Sequence, residues 1–206
     1  NGSSELMSNI SSSLVGMLYN FQLMHLIGED GVSAYGVLMY VQFIFVAIFI
    51  GYSIGCAPVV SFHFGAQNHS ELKSLLRKST LLMASGGVLL TIAARLLAAP
   101  LARLFVGYDA GLFELTSHAF RLFSWSFLLA GFNIFASGFF TALNNGAISA
   151  AISFLRTQVF QTASVLILPL LLDVDGIWWA ITVAEIFAFL ISLMFLYLKR
   201  NKYHYL

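Results

Sequence analysis

Residues 40–50 read Tyr-Val-Gln-Phe-Ile-Phe-Val-Ala-Ile-Phe-Ile, a run whose only amide is Gln42. A strand crossing a bilayer in a barrel would alternate apolar and polar side chains over segments of about ten residues. This run does not alternate. In lipid the backbone must satisfy its own hydrogen bonds, which leaves an α-helix as the reading. Working outward, the apolar character holds over residues 32–62. One crossing needs roughly 20 residues, so this helix is expected to tilt, protrude or bend near Pro58.

Five further stretches carry the same signal, at residues 5–26, 75–98, 113–143, 148–172 and 177–198. The fold class expected is therefore an all-α membrane protein, a bundle of six transmembrane helices forming one lobe over residues 1–206. The breaks between the stretches are turn chemistries, rich in residues that accept positive φ. They are Gly28-Glu29-Asp30-Gly31, Gly65 through Lys73, Pro100 through Gly111, Asn144-Asn145-Gly146 and Asp173-Val174-Asp175-Gly176. No linker or low-complexity run divides the chain. The opening Asn1-Gly2-Ser3 has no initiator Met and no basic leader, and reads as the edge of a longer polypeptide.

Composition agrees with lipid as the solvent. The 206 residues are 59% hydrophobic and 9% charged, with mean hydropathy +0.87. A soluble domain carries about a quarter charged residues. A net charge of +1 supplies no basic surface for nucleic acid. The single cysteine, Cys56, excludes an intrachain disulfide and a cysteine zinc site, and reads as a small packed side chain.

Six crossings place alternate breaks on the same side. Lys73, Arg77, Lys78, Lys199, Arg200 and Lys202 then share one face, and Glu29/Asp30 and Asp173/Asp175 the other, with Arg103. Positive residues stay cytoplasmic, so both ends are expected inside, at the plasma membrane and in a bacterium the inner membrane. Arg95 and Arg121 lie near the outer ends of their helices and can snorkel.

Charges at membrane depth cost at least roughly 2.5–3.5 kcal/mol each and mark partners or water. Glu5, Arg156 and Glu185 are the three. Glu185 sits on a helical stripe with Thr182, Phe189 and Ser192, and reads either as a titratable carboxylate beside a pathway or as a hydrogen-bonded packing residue. The first span carries Glu5, Asn9, Ser12/Ser13, Gly16 and Asn20 along one face. Asn133, Ser137, Thr141 and Asn144 repeat the pattern in the fourth span, as do Arg156, Thr157, Gln161 and Ser164 in the fifth. Several such stripes predict a shared interior, wet or tightly hydrogen-bonded. At about 1.5 Å per residue, Arg156 lies roughly 24 Å and Glu185 roughly 12 Å from the outer ends of their spans. That offset predicts that Arg156 pairs with Glu5 and that Glu185 acts alone.

No HExxH, GxSxG or phosphate-binding glycine loop is present, so no enzyme is expected. His25, His63, His69, His118 and His204 have no ligand spacing on one helix, and no metal or cofactor is expected. Most Met and aromatic side chains read as lipid-facing surface.

Specific strings then become informative. Asn1-Gly2-Ser3-Ser4-Glu5 with Asn9 and Asn20 resembles the start of the seventh helix of multidrug and toxic compound extrusion (MATE) transporters. Tyr40-Val41-Gln42-Phe43 and residues 55–68, Gly-Cys-Ala-Pro-Val-Val-Ser-Phe-His-Phe-Gly-Ala-Gln-Asn, resemble that family's eighth helix and following loop. Residues 139–143 and 153–157 are similar to its tenth and eleventh helices. Gly176-Ile177-Trp178 with Ala184-Glu185 is similar to its last. The strings run in order through nearly the whole chain.

The resemblance implies two six-helix lobes around a cavity of alternating access, of which this chain is the carboxy-terminal one and the amino-terminal lobe is absent. It implies export of amphipathic or cationic small molecules in exchange for Na⁺ or H⁺. Some members hold the ion on acids of the first and fourth helices of this lobe. Here the first helix offers Glu5, but the fourth has only Asn133 and Asn144, a departure from that pattern. Glu5, Arg156 and Glu185 become candidates for ion coupling or gating, and Asn9, Asn20, Gln42, Asn133, Thr141 and Asn144 for the cavity lining. The competing readings are a lipid-linked oligosaccharide flippase of related fold and a non-transporting scaffold or receptor.

Overall fold

The polar breaks become short turns, each closed by local chemistry. Asn68 accepts from the Glu71 amide at 3.2 Å, Asp109 from the Leu112 amide at 2.9 Å and Asn145 from the Ile148 amide at 3.3 Å. These side chains satisfy amides that the first helical turn leaves orphaned. Gly28, Gln67, Asn144 and Asp173 hold positive φ, which lets the chain reverse. The computed structural model describes residues 2–205, with side chains from Ile10 to Tyr205. Glu5 and Asn9 therefore lie outside the described side chains.

The rods between the turns are α1 (Gly2–Leu26), α2 (Glu29–Gly65), α3 (His69–Val106), α4 (Ala110–Ala142), α5 (Gly146–Leu172) and α6 (Val174–Tyr203). Among the described residues, α2 to α6 are long and apolar enough to cross a membrane. Their outer faces are apolar, with Phe43, Phe62, Leu81, Leu96, Leu104 and Leu170 exposed. A surface of this kind is compatible with lipid and not with water. The protein is a multi-pass membrane protein.

The helices extend beyond the apolar cores of the stretches. Pro100 lies inside α3, where a break was expected. Ala94, Ala98, Ala102 and Val106 are buried at one-turn spacing, so packing carries the helix past the hydrogen bond that the proline cannot donate. Glu29 and Asp30 begin α2 rather than ending a loop, where their negative charge complements the positive end of the helix dipole. Inside α4 a 3₁₀ turn spans Ser124–Ser126, with the Ser124 hydroxyl donating to the Arg121 carbonyl at 2.8 Å.

Two apolar clusters stack along the bundle. One gathers Tyr19, Tyr35, Phe120, Phe127 and Trp178, the other Leu72, Phe135, Phe139, Phe140 and Tyr205. Cys56 is free and buried in the second. Alternate turns share an end of the bundle. At one end Asn145 donates to the Tyr203 hydroxyl at 2.8 Å, and the His69 and His204 rings lie 4.9 Å apart. At the other, His118 bonds Asp175 at 2.8 Å. Near that second end Arg95 lies over the Trp125 ring at 4.7 Å.

Small residues let the helices touch, as interfaces in lipid require. A Cβ on Gly87 of α3 would stand 2.6 Å from the Leu128 carbonyl oxygen and 3.1 Å from that of Phe127. Neither backbone atom can rotate away. Gly87→Ala is expected to destabilise the bundle by about 1–3 kcal/mol, the range of overpacking, read as a lower melting temperature in detergent. An unchanged Tm would mean that α3 and α4 separate freely.

Candidate functional site

The polar stripes of three helices converge on Glu185. Glu185 is 1% exposed and sits three turns into α6. The Arg156 guanidinium donates from Nε to both carboxylate oxygens, at 2.9 and 3.1 Å, and from Nη2 to Oε1 at 2.6 Å. Asn133 of α4, wholly buried, donates from Nδ2 to Glu185 Oε2 at 2.7 Å and to the Glu185 carbonyl at 3.0 Å. This fork of charge-assisted bonds is the strongest kind of polar contact available at depth.

The expected pairing of Arg156 with Glu5, and a solitary Glu185, is thereby corrected: Arg156 bonds Glu185. The depth estimate took Leu172 as level with Ile177. In the structure Gly176 abuts the backbone of Leu168 and Pro169, because Pro169 interrupts the helix and residues 169–172 run on past that level. Counted from the Leu168–Gly176 contact, the offset between Arg156 and Glu185 is three residues, about 4.5 Å at 1.5 Å per residue. An arginine side chain spans that easily.

Arg156 lies in a π-helical segment, Leu155–Phe160, within α5. Such wide turns re-aim side chains and recur at functional sites. Thr157 in the same segment donates back to the Ser153 carbonyl at 2.9 Å. Below it, Ser137 bonds both Ser149 and Ser153 at 2.9 Å, and Thr141 donates to Ser149 at 2.7 Å. Ser137 and Thr141 of the fourth stripe are thus bonded to Ser149 and Ser153 of α5, which precede the residues of the fifth stripe.

Beside the ion pair is a cavity of about 330 Å³, in the size range of small-molecule sites. From α1 come Ser12, Val15, Gly16 and Tyr19. From α2 come Tyr35, Met39 and Gln42, and from α5 Ser153, Arg156, Thr157 and Gln161. Tyr19 and Tyr35 stack with centroids 5.0 Å apart. Tyr19 Oη, Gln42 Oε1 and Asn133 Oδ1 are buried without a hydrogen-bond partner among the described residues.

Of the candidate residues, the structure brings Arg156, Glu185 and Asn133 together and puts Gln42 on the cavity wall. Thr141 belongs to the hydroxyl cluster. Asn20 is exposed, away from that wall, and Asn144 is an exposed turn residue at φ 56°. Sequence reasoning passed over Tyr19 and Tyr35. The signal was present in the spacing: Ser12, Val15, Gly16 and Tyr19 follow one helical face, and so do Tyr35, Met39 and Gln42.

A family model described as MatE matches residues 6–167. No curated protein matches the chain. Its backbone is similar to a solved outward-facing multidrug resistance MATE family transporter of the MOP superfamily, at TM-score 0.91 and 18% identity, covering 98% of this chain and 46% of that one. An inward-facing structure of such a transporter matches at TM-score 0.90 and 17% identity, covering 98% and 47%. A MOP superfamily transporter from Pyrococcus furiosus, noted for reverse polarity of its binding pocket, matches at 0.84 and 20%, covering 95% and 45%. The chain therefore spans about half the length of the solved proteins it matches.

Proposed function

The chain belongs to the MatE family, whose model matches residues 6–167, and from that premise we propose that it forms one lobe of a secondary active exporter of amphipathic or cationic small molecules. The observation that carries the reading is the Arg156–Glu185–Asn133 cluster at the wall of the cavity. Glu185 is buried, whereas the Arg156 side chain is 18% exposed and lines the cavity. A proton delivered to Glu185 removes the charge that Arg156 faces. The guanidinium then turns toward the cavity, where water can solvate it and where its charge repels a cationic solute. Deprotonation draws it back.

A two-position arginine of this kind biases one lobe arrangement over the other by differential stabilisation, which is all that alternating access requires. The arrangement favours H⁺ over Na⁺ at this site. Both Glu185 oxygens already accept from Arg156 and Asn133, and a sodium ion would have to share them with a guanidinium. The other lobe of the exporter is the partner that completes the cavity.

The test is dye uptake into inverted vesicles carrying the full-length protein, driven separately by proton and sodium gradients. Glu185→Gln is expected to lower proton-driven uptake by about tenfold, within the range of couplings between distinct sites. Unchanged uptake would reduce the cluster to packing, and uptake driven only by sodium would overturn the proton assignment.

A further inference from the structure

A second concavity lies on the outside of the bundle, at the end where the basic residues collect. It is an open groove of about 760 Å³ between α3 and α6. Its floor is Phe132 of α4, buried and braced edge-on by Phe189 at 4.9 Å. Leu81 and Ala84 form one wall, Leu193 and Tyr197 the other, and Lys73 and Arg77 stand one turn apart at the mouth. Across from them the Arg200 guanidinium lies 3.6 Å over the Tyr197 ring, and its Nη1 is buried with no hydrogen-bond partner among the described residues.

We propose that this groove binds one anionic phospholipid, its acyl chain along the apolar walls and its headgroup phosphate between Lys73 and Arg77. The proposal rests on the membrane-spanning fold and stands whether or not the chain exports solutes. Three observations carry it. Lys73 to Ala84 is eleven residues of helix, about 16 Å, against about 15 Å for half of a hydrocarbon core of roughly 30 Å. The groove is thus one leaflet deep. Its mouth has unspent charge: among the described residues neither Lys73 nor Arg77 forms an ion pair. Among the described side chains, six basic residues stand at this end against the carboxylate of Glu71. Basic pockets between transmembrane helices hold anionic headgroups in this way.

Six further carboxylates, Glu29, Asp30, Asp109, Glu114, Asp173 and Asp175, lie in or beside the turns of the opposite end. This argues against a second copy as the occupant. Copies inserted with one orientation present like charges to each other at the mouth.

The experiment is native mass spectrometry of the full-length protein in detergent, with phosphatidylglycerol and phosphatidylcholine of identical acyl chains, and with inorganic phosphate as a chainless probe. The expected result is retention of phosphatidylglycerol over phosphatidylcholine by about thirtyfold, from two basic groups at the surface. Lys73→Gln/Arg77→Gln should bring the two lipids near parity. Thr80→Trp, which fills the groove, should lower both. Arg77→Lys should keep the preference. Melting temperatures of the variants establish that each is folded, and Lys73→Gln alone serves as the second variant, expected to lose part of the preference. Parity in the unmodified protein, or a preference untouched by the double substitution, overturns the proposal. So does full displacement by inorganic phosphate, or a dimer that the double substitution dissociates.

Discussion

Arg156→Met is expected to destabilise the protein by about 3–5 kcal/mol, the loss typical when one member of a buried ion pair is removed. The carboxylate of Glu185 would keep only the Asn133 amide at 2.7 Å in a site that is 1% exposed. Glu185→Gln should be milder, because the charge left behind is on Arg156, which reaches the cavity and can be hydrated there. Arg156→Met/Glu185→Gln should regain most of the stability lost in Arg156→Met, since replacing a whole buried pair by neutral groups is often close to neutral. It should not regain transport, because no charge remains to move. Unfolding in mixed micelles and vesicle uptake, measured on all four proteins, separate these effects. A double variant that transports like the unmodified protein would show the pair to be a packing device.

The helices and their turns were legible because their signals are local. Hydropathy over about 20 residues and a cap or a positive-φ residue at each break need no knowledge of neighbours. Asn145 capping α5 and Asp109 capping α4 sit where the breaks placed them. The stripes were legible as polar faces, and Ser12, Gly16, Gln42 and Arg156 do share a cavity. The partner of Arg156 was not legible. Pairing across helices depends on axial register, and register was set by Pro169, by the overrun of residues 169–172 and by the π-helical turn at Leu155–Phe160. None of these has a signature in hydropathy. Asn20 misled for a related reason. Its amide drew attention, yet the face through Ser12 and Gly16 continues to Tyr19, an aromatic residue that lipid-facing statistics absorb. Pro100 shows the opposite failure, a strong local breaker overridden by a buried alanine face.

Register also makes Gly176 the residue on which the site most indirectly depends. A Cβ there would collide with the Leu168 carbonyl and stand 2.6 Å from the Pro169 nitrogen. All of these are backbone atoms in a turn that Asp173 closes at φ 53°, so relief requires α5 and α6 to slide or part. Gly176→Ala is expected to destabilise by about 3 kcal/mol, the upper part of the overpacking range. The larger consequence is functional. Arg156 and Glu185 already differ by about 4.5 Å in height at 1.5 Å per residue, and a slide that increases the offset pulls the guanidinium off the carboxylate. Proton-driven uptake should fall with it, although Gly176 touches neither charge. Combining Gly176→Ala with Glu185→Gln distinguishes register from simple crowding. If the glycine sets the pair, the two losses of stability are less than additive by at least about 0.5 kcal/mol, as for residues coupled through a backbone shift. Plain additivity would mean that Gly176 packs a turn and that the height of Arg156 is fixed elsewhere.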